Sequence, residues 1–305
     1  MIRGRETRGA HEARREQGST PRRRGGWHPR WLVVPALAVV IVFFVLPYAN
    51  LLLMSFFTPA RSRPYDPALT FGNYAASFGD SFQWWILWRT LKLGFLATAL
   101  ALLLGYPLAL NLARARGRSK ALLLAMLLSP LLVGVVIRSF GWMVILADNG
   151  LVNSLLKATG LAPDGLKLMY NELGVLVGTV HIYLPFMVLS ISGTLHNIAP
   201  DLELAARSLG ASGATAFRRI ILPLSLPGVF AGCLLVFVLA VSSYVIPVLL
   251  GGFKVITTPL LVVQTAIDVN NWPGAAAQAV MLFAASLICI GVYVRLMNRA
   301  MRGLA

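Results

Sequence analysis

The chain has 305 residues, of which 57% are apolar and only 12% charged, against about one quarter charged in soluble domains. That balance excludes an ordinary soluble protein and indicates a membrane protein. The formal net charge of +16 could suit nucleic acid, but nine arginines fall within residues 1–30, so the charge is a property of one tail rather than of a folded surface.

The tail has almost no apolar content with which to offset ordering entropy and is expected to be a disordered basic segment. Anionic membrane lipid, not nucleic acid, is its expected contact. Residues 31–57 follow as "WLVVPALAVVIVFFVLPYANLLLMSFF". They are too long for a signal-peptide core and are expected to remain as a first span. Further segments near 88–113, 121–145, 173–197, 225–250 and 276–298 each approach or exceed the roughly 20 residues that a hydrocarbon core demands. The expected fold is therefore an all-α integral membrane protein with six transmembrane helices. Pro35, Pro47, Pro107, Pro130, Pro185 and Pro247 lie in or near these spans, where neighbouring helices can satisfy the freed carbonyls. Trp84, Trp85 and Trp88 fit an interfacial aromatic belt.

Orientation follows from the Lys/Arg bias of the connections. The N-terminal tail, the 114–120 and 198–224 loops and the C-terminal end from Arg295 onward together hold 19 basic residues, and the opposite loops hold 5. Both termini and the 198–224 loop are thus expected in the cytoplasm. Cys233 and Cys289 lie within spans and form no CxxC pair, which gives no sign of a metal or disulfide.

Intramembrane polar residues are the first places to look for a solute path. His181 and Tyr183 enter span four, and Ser242, Ser243 and Tyr244 precede Pro247 in span five; each could line a path or bond between helices. Arg138 stands 18 residues beyond Lys120, about 27 Å along a continuous helix, which would put it at the outer interface with Trp142 as anchor. The GxxxG spacings Gly174/Gly178 and Gly228/Gly232 allow close helix approach.

The 200–223 loop is the anomaly. "PDLELAARSLGASGATAFRRIILP" is polar, has two internal glycines, and is too short in either half to span. Asp201 can cap a helix in which Leu202, Ala205, Ala206 and Leu209 recur on one face, with Glu203 and Arg207 paired at i, i+4 on the other. Gly210 would end it. Ser212 can cap a second piece bearing Phe217, with Pro223 closing the motif. A helical elbow on the membrane face results; by periodicity alone it could simply rest on lipid.

The order A-A-x-x-L-G-A-S followed by F-x-x-I-x-L-P resembles the EAA loop of inner-membrane permease subunits of binding-protein-dependent ABC importers. Ala205, Ala206, Gly210, Phe217, Leu222 and Pro223 match that motif, with Ala211 in the same loop; the usual glutamate aligns with Leu204, and Glu203 stands one position early. "GYPLALNLAR", "VIRSFGWMVIL", "GLVNSLL", "IPVLLGG" and "NWPGAAAQAV" extend the likeness over residues 31–300, toward the spermidine/putrescine-type branch and its B-type permeases.

The resemblance implies a transport subunit, not an enzyme, that forms half of a solute pathway with a second permease. It also implies that separate ATP-binding subunits engage the loop, that a soluble binding protein delivers the solute, and that the solute is a polyamine or related organic molecule. A self-sufficient secondary transporter or channel is the alternative. No cofactor is expected on the chain itself. The nearest approach to a phosphate-binding loop, "GLAPDGLK" at 160–167, has Leu166 where lysine is required.

Overall fold

The computed structural model describes residues 35, 37–60 and 63–302, with side chains through Arg299. The basic tail at 1–30 and the start of the expected first span lie outside the described residues. Among the described residues, six helical runs are long and apolar enough to cross a membrane: Leu37–Met54, Ser81–Arg114, Val135–Ala158, Glu172–His196, Gly213–Val241 and Trp272–Arg299.

The chain divides into two units, Met1–Leu51 and Leu52–Ala305. In the first, the described residues are helical, with a π-turn at Ile41–Val45. The second begins at the end of this helix, α1 (Leu37–Met54), and turns into a short antiparallel hairpin, β1 (Phe57–Thr58) with β2 (Asp66–Leu69). Asn73, in α2 (Gly72–Gly79), donates to the carbonyls of Ser55 and Phe57 at 2.9 and 2.8 Å and so holds the hairpin shut.

Three long helices form the core: α3 (Ser81–Arg114), α7 (Glu172–His196) and α10 (Leu222–Val241). They approach closely because small residues face the seams. Ala97, Ala101 and Ala109 on α3 are fully buried, and Ile182, Met187 and Ile191 on α7 fill the space opposite. Gly228 and Gly232 lie against Thr194, Ser190 and Met187 with no room for a Cβ. The Ser190 hydroxyl donates to the Gly228 carbonyl at 3.1 Å. The GxxxG spacing of α10 thus serves packing within the bundle, where contact between small residues replaces the hydrophobic drive that lipid does not supply.

Two expected spans are interrupted. The reading of 121–145 as one helix fails at Val133–Gly134, where extended backbone separates α4 (Gly117–Leu132) from α5 (Val135–Leu146). Pro130 and Gly134 flank the break. A turn then leads to α6 (Leu151–Ala158). The expected span 225–250 stops at Val241 and resumes beyond Tyr244. Pro247 has no N–H to offer the Ser243 carbonyl four residues back, so the ladder parts there. The chain continues through a π-turn at Pro247–Gly251, bends by 80°, and forms α11 (Thr258–Ile267), which lies between the expected spans. Ten residues make about 15 Å of helix, too little to span. Thr90 of α3 anchors it, its hydroxyl accepting the Thr258 N–H at 2.8 Å. The last helix, α12 (Trp272–Arg302), is tied to α10 by the Tyr293 hydroxyl donating to the Phe230 carbonyl.

Candidate functional site

The elbow consists of α8 (Asp201–Ser208), a glycine turn, and α9 (Gly213–Ala216), which runs through a π-turn at Phe217–Ile221 into α10. α8 ends because Gly210 takes φ +84, a left-handed conformation open to glycine at little cost. The Gly210 N–H then reaches the Arg207 carbonyl and the Ala211 N–H reaches Ala206, both at 3.0 Å. This pair of bonds is a Schellman closure, and it fixes the direction in which the chain leaves the helix. Ser212 caps α9, its hydroxyl accepting the Thr215 N–H. Asp201, expected as a cap, is instead the first helical residue and makes no capping bond.

The faces of α8 are turned differently from the sequence expectation. Glu203 and Ala206 are the half-buried positions, while Leu202, Leu204, Ala205 and Leu209 are exposed, Leu209 to 89%. Charge pairing explains the inward carboxylate. Glu203 Oε2 meets Arg114 Nη2 of α3 at 2.5 Å, and Oε1 meets Arg207 Nη2 at 2.9 Å. Further along, Phe217 stands edge-on to Tyr106 of α3, whose hydroxyl lies 2.8 Å from Ser225 Oγ of α10. The π-turn begins six residues before Pro223, as the π-turn at Ile41 begins six before Pro47. A widened turn moves the carbonyl four residues back away from the proline ring and relieves the clash. The elbow is thus closed at Gly210, joined to α3 at two points, and presents leucines outward.

The second constellation lies midway along α7. His181 and Ile182 fall nine and ten residues into this 25-residue helix, about 15 Å from its start. The Arg138 guanidinium of α5 faces the Ile182 carbonyl at 3.4 Å, and Trp142 packs edge-on to His181 with ring centroids 5.3 Å apart. Arg138 Nε and His181 Nδ1 are buried without a hydrogen-bond partner among the described residues. Arg138 therefore sits at the depth of the helix centre. The length argument for an interfacial position assumed one continuous helix from Lys120, and the backbone breaks at Val133–Gly134. Tyr183 and Ser243 are buried, whereas Ser242 and Tyr244 at the α10 break are exposed. Residues 242–244 fall in the break between Val241 and the turn at Pro247, not within a continuous helix.

A family model described as "Binding-protein-dependent transport system inner membrane component" matches residues 26–303. The chain belongs to that family. It is 33% identical to the spermidine/putrescine transport system permease protein PotB of Haemophilus influenzae, covering 85% of this chain and 92% of the relative. To PotB of Escherichia coli it is 31% identical, covering 87% and 96%. A bacterial ABC transporter involved in the import of the acidic polysaccharide alginate shares the fold at a TM-score of 0.70, over 96% of this chain and 99% of that one, with 17% identity.

The chain is thus a multi-pass inner-membrane permease component of an importer, a transport subunit. Within this permease the structure brings Arg138 and Trp142 together with His181, residues that the sequence treated as separate groups. It also reveals contacts that the sequence did not suggest. Arg114 is the outside partner of Glu203, and Tyr106 the seat of Phe217; neither carries a sequence signal beyond an aromatic and a basic residue in α3. At the other end of α3, Arg89 and Lys92 both pair with Glu172 of α7, at 2.9 and 2.6 Å, and Arg89 lies 4.0 Å over the Trp85 ring.

Proposed function

We propose that the permease forms half of a solute pathway with a second, similar permease and that its elbow is the element through which separate ATP-binding subunits drive it. The observation that carries this reading is the geometry of α8: a helix closed by Gly210, tied to α3 through Glu203–Arg114, with Leu204 and Leu209 exposed. A contact that must transmit force needs a fixed lever and an open docking face, and the elbow has both. A loose loop resting on lipid would have neither the closure nor the tie to α3.

On this reading the termini and the elbow face the cytoplasm, in accord with the basic-residue bias. A soluble binding protein delivers the solute to the opposite side. The two ATP-binding subunits close on ATP and shift the bundle between two arrangements; ATP is held by those subunits and not by this chain. The PotB relatives make a polyamine or related organic solute the first candidate.

The test is co-purification of the importer complex from membranes, comparing the wild type with Gly210→Pro at matched expression. Proline cannot adopt φ +84, so the closure is lost. Loss of the ATP-binding subunits from the variant alone supports the elbow as their seat. Equal retention in both forms would move the contact elsewhere, and absence of such subunits from both would favour a self-sufficient transporter.

A further inference from the structure

Beside the elbow, where α3 gives way to α4 and α7 to α8, lies a cleft of about 810 Å³. Four cationic side chains line it, Arg114, Arg116, Lys120 and Arg207, against a single carboxylate, Glu203. That carboxylate is already held by Arg114 and Arg207. Among the described residues, Arg116 and Lys120 have no carboxylate within ion-pair distance, and Lys120 is half-buried in the cleft. The remaining wall is apolar, formed chiefly by Leu110, Leu195, Ile220 and Ile221.

Such a surface is a mismatch for water alone. Like charges gathered in one cleft repel, and an occupant with negative charge would relieve them. Guanidinium groups fit the oxygens of a phosphate as forks, and an ammonium adds a point charge. The position along the chain matters equally: the cleft lies at the end of the 34-residue α3, where an apolar helix leaves the hydrocarbon and basic residues begin. This is the level of the headgroups. A free phosphate would use the cations and leave the apolar wall uncovered, whereas a phospholipid would cover both.

We propose that this cleft is a binding site for one anionic phospholipid, its headgroup phosphate on Arg116 and Lys120 and its upper acyl carbons against Leu110 and Ile220. The site rests on the membrane-spanning assignment, and it shares Leu204 and Arg207 with the elbow. A lipid seated there would touch α3, α4, α7 and α8 together and so brace the elbow.

The experiment is native mass spectrometry of the intact importer complex released from bilayer discs of equal parts phosphatidylglycerol and phosphatidylcholine. The wild type is expected to retain one more phosphatidylglycerol than Arg116→Gln/Lys120→Gln, whose affinity should fall roughly thirtyfold with two surface cations removed. Lys120→Arg should keep the lipid. So should Arg118→Gln, which removes a charge from the same turn without lining the cleft. Equal retention in wild type and double variant would overturn the proposal. Displacement of the lipid by millimolar inorganic phosphate, with no preference between the two lipids, would overturn the lipid assignment in favour of free phosphate. Should the double variant fail to assemble, photo-crosslinking of wild type with a headgroup-labelled phosphatidylglycerol decides: adducts on residues 110–120 support the site, and adducts confined elsewhere overturn it.

Discussion

Glu203 Oε2 lies 2.5 Å from Arg114 Nη2, joining the first turn of α8 to the last residue of α3 across 89 positions of sequence. The pair is half exposed on the arginine side, so its contribution to stability is small, about 0.2–1 kcal/mol. Its effect on direction is larger, because it sets how α8 is held against the bundle. Glu203→Ala is therefore expected to leave the melting temperature nearly unchanged while lowering uptake per ATP hydrolysed. Exchange of the charges, Glu203→Arg with Arg114→Glu, should recover part of that loss, and a cycle of the two single variants and the double measures the coupling.

Gly210 makes a sharper prediction, since φ +84 at this position has no substitute side chain that fits without strain. Gly210→Ala should cost about 1–2 kcal/mol locally, enough to loosen the Schellman closure at Ala206 and Arg207. Gly210→Asn should cost less, as asparagine tolerates the left-handed region. Hydrogen exchange at the Gly210 and Ala211 amides is the measurement: faster exchange in Gly210→Ala than in Gly210→Asn is expected, with core amides of α7 unchanged.

Much of this architecture was legible in residue types, and the failures have physical causes. Long apolar runs such as 173–197 announce a helix by length alone, and Gly210 and Ser212 announce the elbow by backbone and capping chemistry. The interruptions at Val133–Gly134 and Ser242–Tyr244 were harder to see, because membrane helices often carry proline without breaking and apolar composition does not change across the gap. α11 was hidden for a related reason. Its ten residues are too few to register as a span, although Thr257, Thr258 and Pro259 mark a helix start. The distance drawn from Lys120 to Arg138 suffered from this same blindness to breaks. The inward turn of Glu203 was legible only halfway: the i, i+4 partner Arg207 is local, but Arg114 is remote in sequence and reaches it only in the fold.

Packing at the α7–α10 seam predicts a stability effect distinct from the elbow. A Cβ at Gly228 would fall on Thr194 and the Ser190 carbonyl. Gly228→Leu must therefore push the helices apart, at a cost of about 1–3 kcal/mol or more, and break the Ser190–Gly228 bond. The expected outcome is a lower melting temperature of the detergent-solubilised complex and reduced yield in membranes. Gly193→Ala is the matched control, as nothing lies within 4 Å of a Cβ there, and it should behave as wild type.

Arg138 separates stability from transport most cleanly. A buried, hydrogen-bonded charge is costly to remove when its partner is left behind, but Arg138 leaves little behind: its Nε has no partner among the described residues, and its one bond, to the Ile182 carbonyl, is long at 3.4 Å. Arg138→Met, similar in length and apolar, should keep the fold and hold or raise the melting temperature. Transport should respond differently. A fixed positive charge near the helix centre repels a cationic solute passing it, so Arg138→Met is expected to lower the KM for spermidine while leaving the binding protein's affinity untouched. The measurement is uptake of labelled spermidine by reconstituted complex as a function of concentration. A raised KM, with assembly intact, would show instead that the guanidinium holds the solute, and the solute would then be one that carries a negative group.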